Sequence, residues 1–265
     1  MAGTIPSDAN LPAWITFIDR WIYVFMAAFL IVITLTGFVP DSFKKIASVD
    51  SGMRPPLHPL MHVHAVLMGA WMLLLLAQTS LMAIGNARYH KALGITAFVL
   101  APAILVTGLM LVPVNYTQIA EFAAQSPPNV AAALHKELII KADFLLMQLR
   151  SATLFAVFGT LGIWARQRDA GFHKRLMVMA TLIPLPAAIA RISWLPSTVP
   201  QSLLSLNIAI LVCVLPMFLW DMYRLKRVHA AYIVAFALWL PFVVAGWLLW
   251  GTDGWRTFAT GLLNL

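Results

Sequence analysis

Charge is scarce in this chain: 11% of its residues are Asp, Glu, Lys or Arg, against 61% that are hydrophobic. A soluble domain carries about 25% charged residues on its surface, so an aqueous globular fold is excluded. Cysteine is nearly missing as well. The lone Cys213 has no intramolecular disulfide partner. With no Cys-x-x-Cys-His run and no cysteine cluster, covalent haem attachment, iron–sulfur ligation and thiolate zinc sites are excluded too. A Gly-rich phosphate loop and a dinucleotide fingerprint are absent. Any cofactor must therefore be held by histidine, by carboxylate or by an apolar bundle.

What the chain has is long apolar runs, reflected in a mean hydropathy of +0.84. Seven of them have the length that crosses a hydrocarbon core as a helix. They lie near Trp21 to Val39, Leu60 to Ile84, Leu93 to Val112, Leu138 to Ala165, Leu176 to Trp194, Leu203 to Trp220 and Ala231 to Trp250. The expected fold is all-α, a polytopic transmembrane helix bundle of about seven spans in one integral membrane domain over residues 1–265. Spans two to five form its four-helix core. Pro102, Pro184, Pro186, Pro216 and Pro241 predict kinks inside spans. Met1 to Trp14 holds no basic residue, so it lacks the n-region of a cleaved signal peptide, and the first span is expected to stay in the mature protein. Most of the tryptophans sit at span ends, as an aromatic belt does.

Basic residues set the orientation. Arg20, Arg88, Lys91, Arg166, Arg168, Lys174, Arg175, Arg224, Lys226 and Arg227 collect on one face. Lys44, Lys45, Arg54, Lys136 and Arg256 on the other are diluted by Asp41, Asp50, Glu121, Glu137 and Asp253. The positive-inside rule makes the first face cytoplasmic, with the N-terminus inside and the C-terminus outside. The formal net charge of +8 is then a signal of topology and lipid contact, and no nucleic-acid partner is expected. Two outer connections, Pro40 to Pro59 and Pro113 to Asn129, are longer than a turn requires, which marks the outer face for a ligand. Both end in proline pairs that stop extended chain before the next helix.

The histidines alternate between the faces. His64 and His135 precede or open spans two and four on the outside, and His90 and His173 border spans three and five on the inside. Within His58-Pro59-Leu60-Met61-His62-Val63-His64, the helical turn puts His62 and His64 on nearly opposite faces. The His64 stripe continues through Met68, Trp71, Leu75 and Gln78, and a deep Gln78 needs an inward partner, which favours His64 over His62. Opposite axial ligands for a haem come most simply from two facing helices. Alternating helix direction then pairs His64 with His135 outside and His90 with His173 inside, about 25 to 30 Å apart along the axis. That arrangement has room for two stacked b-type haems.

The segment from His64-Ala65-Val66-Leu67-Met68-Gly69 through Gln78 to Arg88-Tyr89-His90-Lys91-Ala92-Leu93-Gly94, with the later His173-Lys174-Arg175-Leu176-Met177, resembles a bacterial family of uncharacterised multi-pass membrane proteins. The layout of histidines over spans two to five is also similar to the cytochrome b561 group. That resemblance implies two haem b groups in a four-helix core and electron transfer across a membrane, here the bacterial inner membrane with a periplasmic C-terminus. The donor is then a quinol or a small reductant. The chain departs from the group in its seventh span and in lacking an ascorbate-binding motif.

The fourth span is unusually polar. Glu137, Lys141 and Gln148 share one stripe, and Lys136, Asp143 and Arg150 the neighbouring one. Arg150 lies within the apolar run, with Asp143 as the intrahelical candidate partner, and Arg191 is a second isolated charge in span five. Both arginines are candidate electrostatic support for a cofactor. Two other readings stand beside the haem protein. One is a cofactor-free transporter or membrane scaffold with span four lining a path. The other is a non-haem metal site at the outer face built from His58, His62 or His64 with His135 and Glu137 or Glu121.

Overall fold

The computed structural model describes residues 11–263; Met1 to Asn10, part of the stretch read above for a signal peptide, lie outside the described residues. Every regular element among the described residues is a helix. In chain order these are α1 (Ala13–Asp50), α2 (Pro59–Ala83), α3 (Ala87–Gly94), α4 (Ala97–Ala124), α5 (Pro128–Ala165), α6 (Ala170–Leu182), α7 (Pro186–Ile189), α8 (Leu204–Leu225), α9 (Ala230–Leu249) and α10 (Asp253–Leu263). Six stretches are long and apolar enough to cross a membrane: α1, α2, α3 with α4, α5, α8 and α9. The molecule is an integral membrane helical bundle.

The remaining expected span, the fifth, is a broken one. α6 ends at Leu182, a turn carries Ile183 to Leu185, and the short α7 follows. Pro184 and Pro186 lack the N–H groups that would continue the ladder, so their pairing ends the helix rather than kinking it. The segment still runs along α1: Lys174 near the start of α6 lies over the Tyr23 ring in the first half of α1, whereas Arg191 just past α7 meets Asp41 beyond its middle. By contrast, Pro102, Pro216 and Pro241 are accommodated within continuous helices.

Sequence chemistry explains the helix starts. His58 Nδ1 accepts from Leu60 N with Pro59 in the first turn, Asn86 Oδ1 accepts from Tyr89 N, and Asp169 Oδ1 accepts from Phe172 N. Pro127 and Pro128 open α5, as their pairing predicts. The two outer connections are not the loops expected. α1 continues through Pro40 to Asp50, and α4 continues through Pro113 to Ala124. With 38 residues each, α1 and α5 are about 57 Å long, far more than a hydrocarbon core needs. The late part of α4 and the early part of α5 bury a second core of Tyr116, Ile119, Ala123, Val130, Leu134 and Leu138. α10 completes it with Trp255, Ala259 and Leu263, spaced four apart on one stripe.

The main core joins α1, α2, α5, α6 and α8 through Leu30, Phe158, Leu176, Val178 and Leu206. Trp71 of α2 packs edge-on to Phe155 at 5.0 Å and donates its indole N–H to Thr181 Oγ1 at 2.9 Å. At Gly37 the backbones of α1 and α7 nearly touch: an added Cβ would stand 2.1 Å from the Ala188 carbonyl oxygen. Gly37→Ala is therefore expected to force the two segments apart and lower stability by about 1–3 kcal/mol. Thermal unfolding in detergent checks this, and an unchanged midpoint would refute the close approach.

Candidate functional site

His90 and His173 are brought together. One lies on α3 and the other in the first turn of α6, and their imidazole rings stand 6.4 Å apart, centroid to centroid, with planes at 85°. Each ring is tied down on one side. His90 Nδ1 meets the Gln78 carbonyl at 3.2 Å, and His173 Nδ1 meets the Gly162 carbonyl at 2.8 Å. A carbonyl only accepts, so in both rings Nδ1 carries the proton and Nε2 is left with its lone pair.

Helix geometry supplies these acceptors. The Gly162 carbonyl is among the last four of α5, and Arg166 N, which would reach it in a continuing helix, bonds to Ile163 O instead. His173 takes the orphaned acceptor. Gly162 also lets α6 approach: a Cβ there would meet Met177 Sδ at 3.0 Å and Leu176 Cβ at 3.4 Å. Beside His90, both polar atoms of the Gln78 amide are buried with no protein partner, and Gly94 lies against that amide.

A buried ion pair anchors the start of α6. Arg175 Nε donates to Asp221 Oδ2 at 2.7 Å, Nη1 donates to the Gly171 carbonyl at 2.8 Å, and Tyr232 donates its hydroxyl to Asp221. The network links α6 to α8 and α9. Asp221 is absent from the sequence reading, although an isolated carboxylate at the end of an apolar run is itself a signal of a buried partner.

His64 has a different neighbour from the one expected. It is half-buried against α4, with Nδ1 3.0 Å from Thr107 Oγ1. Thr107 donates its own proton to the Ala103 carbonyl at 2.7 Å, so it accepts from His64. Gly108 makes room, since a Cβ there would stand 3.0 Å from His64 Cε1. His62 is exposed, as the stripe argument predicts. His135 is exposed as well, on the part of α5 that forms the second core. The pairing of His64 with His135 is therefore not formed. α5 is helical well before its apolar run begins, so His135 sits above the level at which α2 and α4 hold His64.

The charged residues of span four also find other partners. Asp143 does not pair with Arg150; it accepts from Arg256 of α10 at 2.7 Å. Arg150 donates instead to Asn207 Oδ1 of α8 at 2.7 Å. Glu137 pairs with Arg54 at 2.7 Å, and Lys141 donates to Asn115 Oδ1 at 2.6 Å. Arg191 binds Asp41 at 2.9 Å and lies over the Phe38 ring. Neither Arg150 nor Arg191 stands at the His90 and His173 pair, so neither supports a cofactor there. His58 is spent on capping α2, and among the described residues no three His, Cys, Asp or Glu side chains gather as metal ligands. The outer metal centre thus lacks a ligand set.

Two bare imidazole nitrogens on facing elements can hold one metal ion between them. Metal–imidazole bonds are about 2 Å and a nitrogen stands about 1 Å from its ring centre, so two imidazoles that would share one metal ion place their centroids no more than about 6 Å apart. The observed 6.4 Å lies close to that limit. Backbone carbonyls on the opposite nitrogens are the usual supports of ligating histidines, fixing tautomer and ring orientation. A metal ion held by these two donors alone would need further ligands from outside the chain, as a haem iron has from its porphyrin. No protein-family model, curated protein or solved structure matches the chain.

Proposed function

We propose that this protein is a membrane electron-transfer protein that holds one b-type haem between His90 and His173, at the basic end of the bundle. The observation that carries this reading is the pair of neighbouring imidazoles, 6.4 Å apart between ring centroids, each with Nδ1 on a backbone carbonyl so that Nε2 is the atom left to ligate. When bound, the haem supplies the one-electron iron couple. The chain contributes ring orientation through Gln78 and Gly162, a low dielectric from Leu176 and Met177, and the Arg175–Asp221 anchor that keeps α6 in register.

The positive-inside rule puts this end on the cytoplasmic side of a bacterial inner membrane and α10 in the periplasm. The reductant class is a quinol drawn from the bilayer or a small soluble reductant. Protein purified after expression with ample haem is expected to be red. Its reduced-minus-oxidised spectrum should be that of a low-spin b haem with two imidazole ligands, at one haem per chain. Colourless protein, or a high-spin spectrum, would sink the reading.

A further inference from the structure

Arg150 is among the largest fully buried side chains, with 2% of its surface exposed. Burial excludes the common fate of an arginine near a span end, which is to reach out to the headgroups. Its Nη1 is held by Asn207 at 2.7 Å. Its Nε and Nη2, which share the opposite edge of the guanidinium, are buried and bond to nothing. Among the described residues no carboxylate lies within ion-pair distance of it; Asp143, the one expected there, is turned to Arg256.

Three other arginines show what that edge does in this protein. Arg175 presents Nε and Nη2 to Asp221, Arg224 presents them to Asp19, and Arg256 presents them to Asp143. In each case the two parallel N–H bonds meet the oxygens of one carboxylate, the pairing for which the planar fork is shaped. At Arg150 the same edge is bare, in a medium where an uncompensated charge is most costly. Asn207 fixes the plane in advance, and Asn207 is itself buried.

We propose that Arg150 and Asn207 form a binding site for a single carboxylate group within the bundle. The site is separate from the histidine pair: Gly162, which holds His173, lies 12 residues further along α5 (150 to 162), about 18 Å at the helical rise. The inference is thus independent of haem binding. The carboxylate comes either from an acyl-chain amphiphile in the bilayer or from a small acid in water.

The test is thermal unfolding of the full chain in detergent, after exhaustive exchange, with decanoate, acetate, decanol or chloride added. Decanoate is expected to raise the midpoint, and decanol and chloride to leave it unchanged. An acetate effect equal to that of decanoate assigns the aqueous source, and a decanoate effect alone assigns the membrane source. Arg150→Lys keeps the charge but loses the fork and should weaken binding about 10-fold; Arg150→Met should weaken it at least about 100-fold. Should Arg150→Met fail to fold, Asn207→Leu replaces it, and its weakened carboxylate response serves the same purpose. No shift with either carboxylate, an equal shift with chloride, or a full shift that survives in the variants would overturn the proposal.

Discussion

Replacing His173 with alanine is expected to abolish the low-spin haem spectrum and to lower haem retention at least about 100-fold, beyond the loss usual for a ligand's supporting partner. His90→Ala should remove the same spectral component, because the proposal puts the two rings, 6.4 Å apart, on one iron. His64→Ala and His135→Ala should leave it intact, since one ring is bound to Thr107 and the other is exposed. Added imidazole is expected to restore part of the spectrum to His173→Ala by filling the vacated position. That rescue separates ligation from a purely structural role, which free imidazole would not repair. A spectrum that persists in either the His90 or the His173 variant refutes the pairing. One that disappears equally in all four variants points to a general failure of folding instead.

The inner pair was legible in the sequence because two rules act together there. Alternating helix direction assigns His90 and His173 to one end, and both lie within a turn or so of the break between elements, where a side chain can turn back to a carbonyl of the preceding helix. The outer pair fails because hydropathy marks where a helix enters lipid and says nothing of where it begins. Lys136, Glu137 and Lys141 read as a boundary, yet α5 starts at Pro128 and carries them as helix surface. The same blindness hid the helical ends of α1 and α4. Apolar stripes such as Tyr116, Ile119 and Ala123 were there to be read, but they are too short for a span and find their partners on the early part of α5 and on α10.

Partners of buried charges were the least legible feature. A heptad step made Asp143 the natural neighbour of Arg150, but the partner of Asp143 is Arg256, 113 residues away and beyond the last span. Arg150 answers to Asn207, 57 residues on. Spacing along one helix ranks neighbours on its own surface, whereas a buried ion is satisfied across helices, by whichever element the bundle seats against it. The broken fifth span belongs to the same class. Pro184 and Pro186 were visible as kinks, but where the chain goes after they end α6 is set across helices, by Gly37 of α1, which leaves the space for Ala188.

Asp221→Ala is expected to be the most destabilising single change at the basic end of the bundle. Arg175 and Asp221 are 4% and 6% exposed, and removal of one partner leaves the other charged in the core. Breaking such a buried pair costs about 3–5 kcal/mol, chiefly for the charge left behind. Tyr232 loses the acceptor for its hydroxyl in the same step. The double variant Arg175→Met with Asp221→Leu should recover most of the loss, since an apolar pair of similar volume has no ion to desolvate. Unfolding midpoints of the two single variants and the double variant form a cycle in which the coupling should be large and of opposite sign to the single losses. The cycle also bears on the histidine site. Arg175 is two residues beyond His173 and binds the carbonyl of Gly171, two residues before it, so the pair fixes the turn that carries the ring. Haem retention should therefore fall in Asp221→Ala and return in the double variant, in step with stability. Full stability in Asp221→Ala, or a double variant no better than the single ones, would show that the pair does not hold α6 in place.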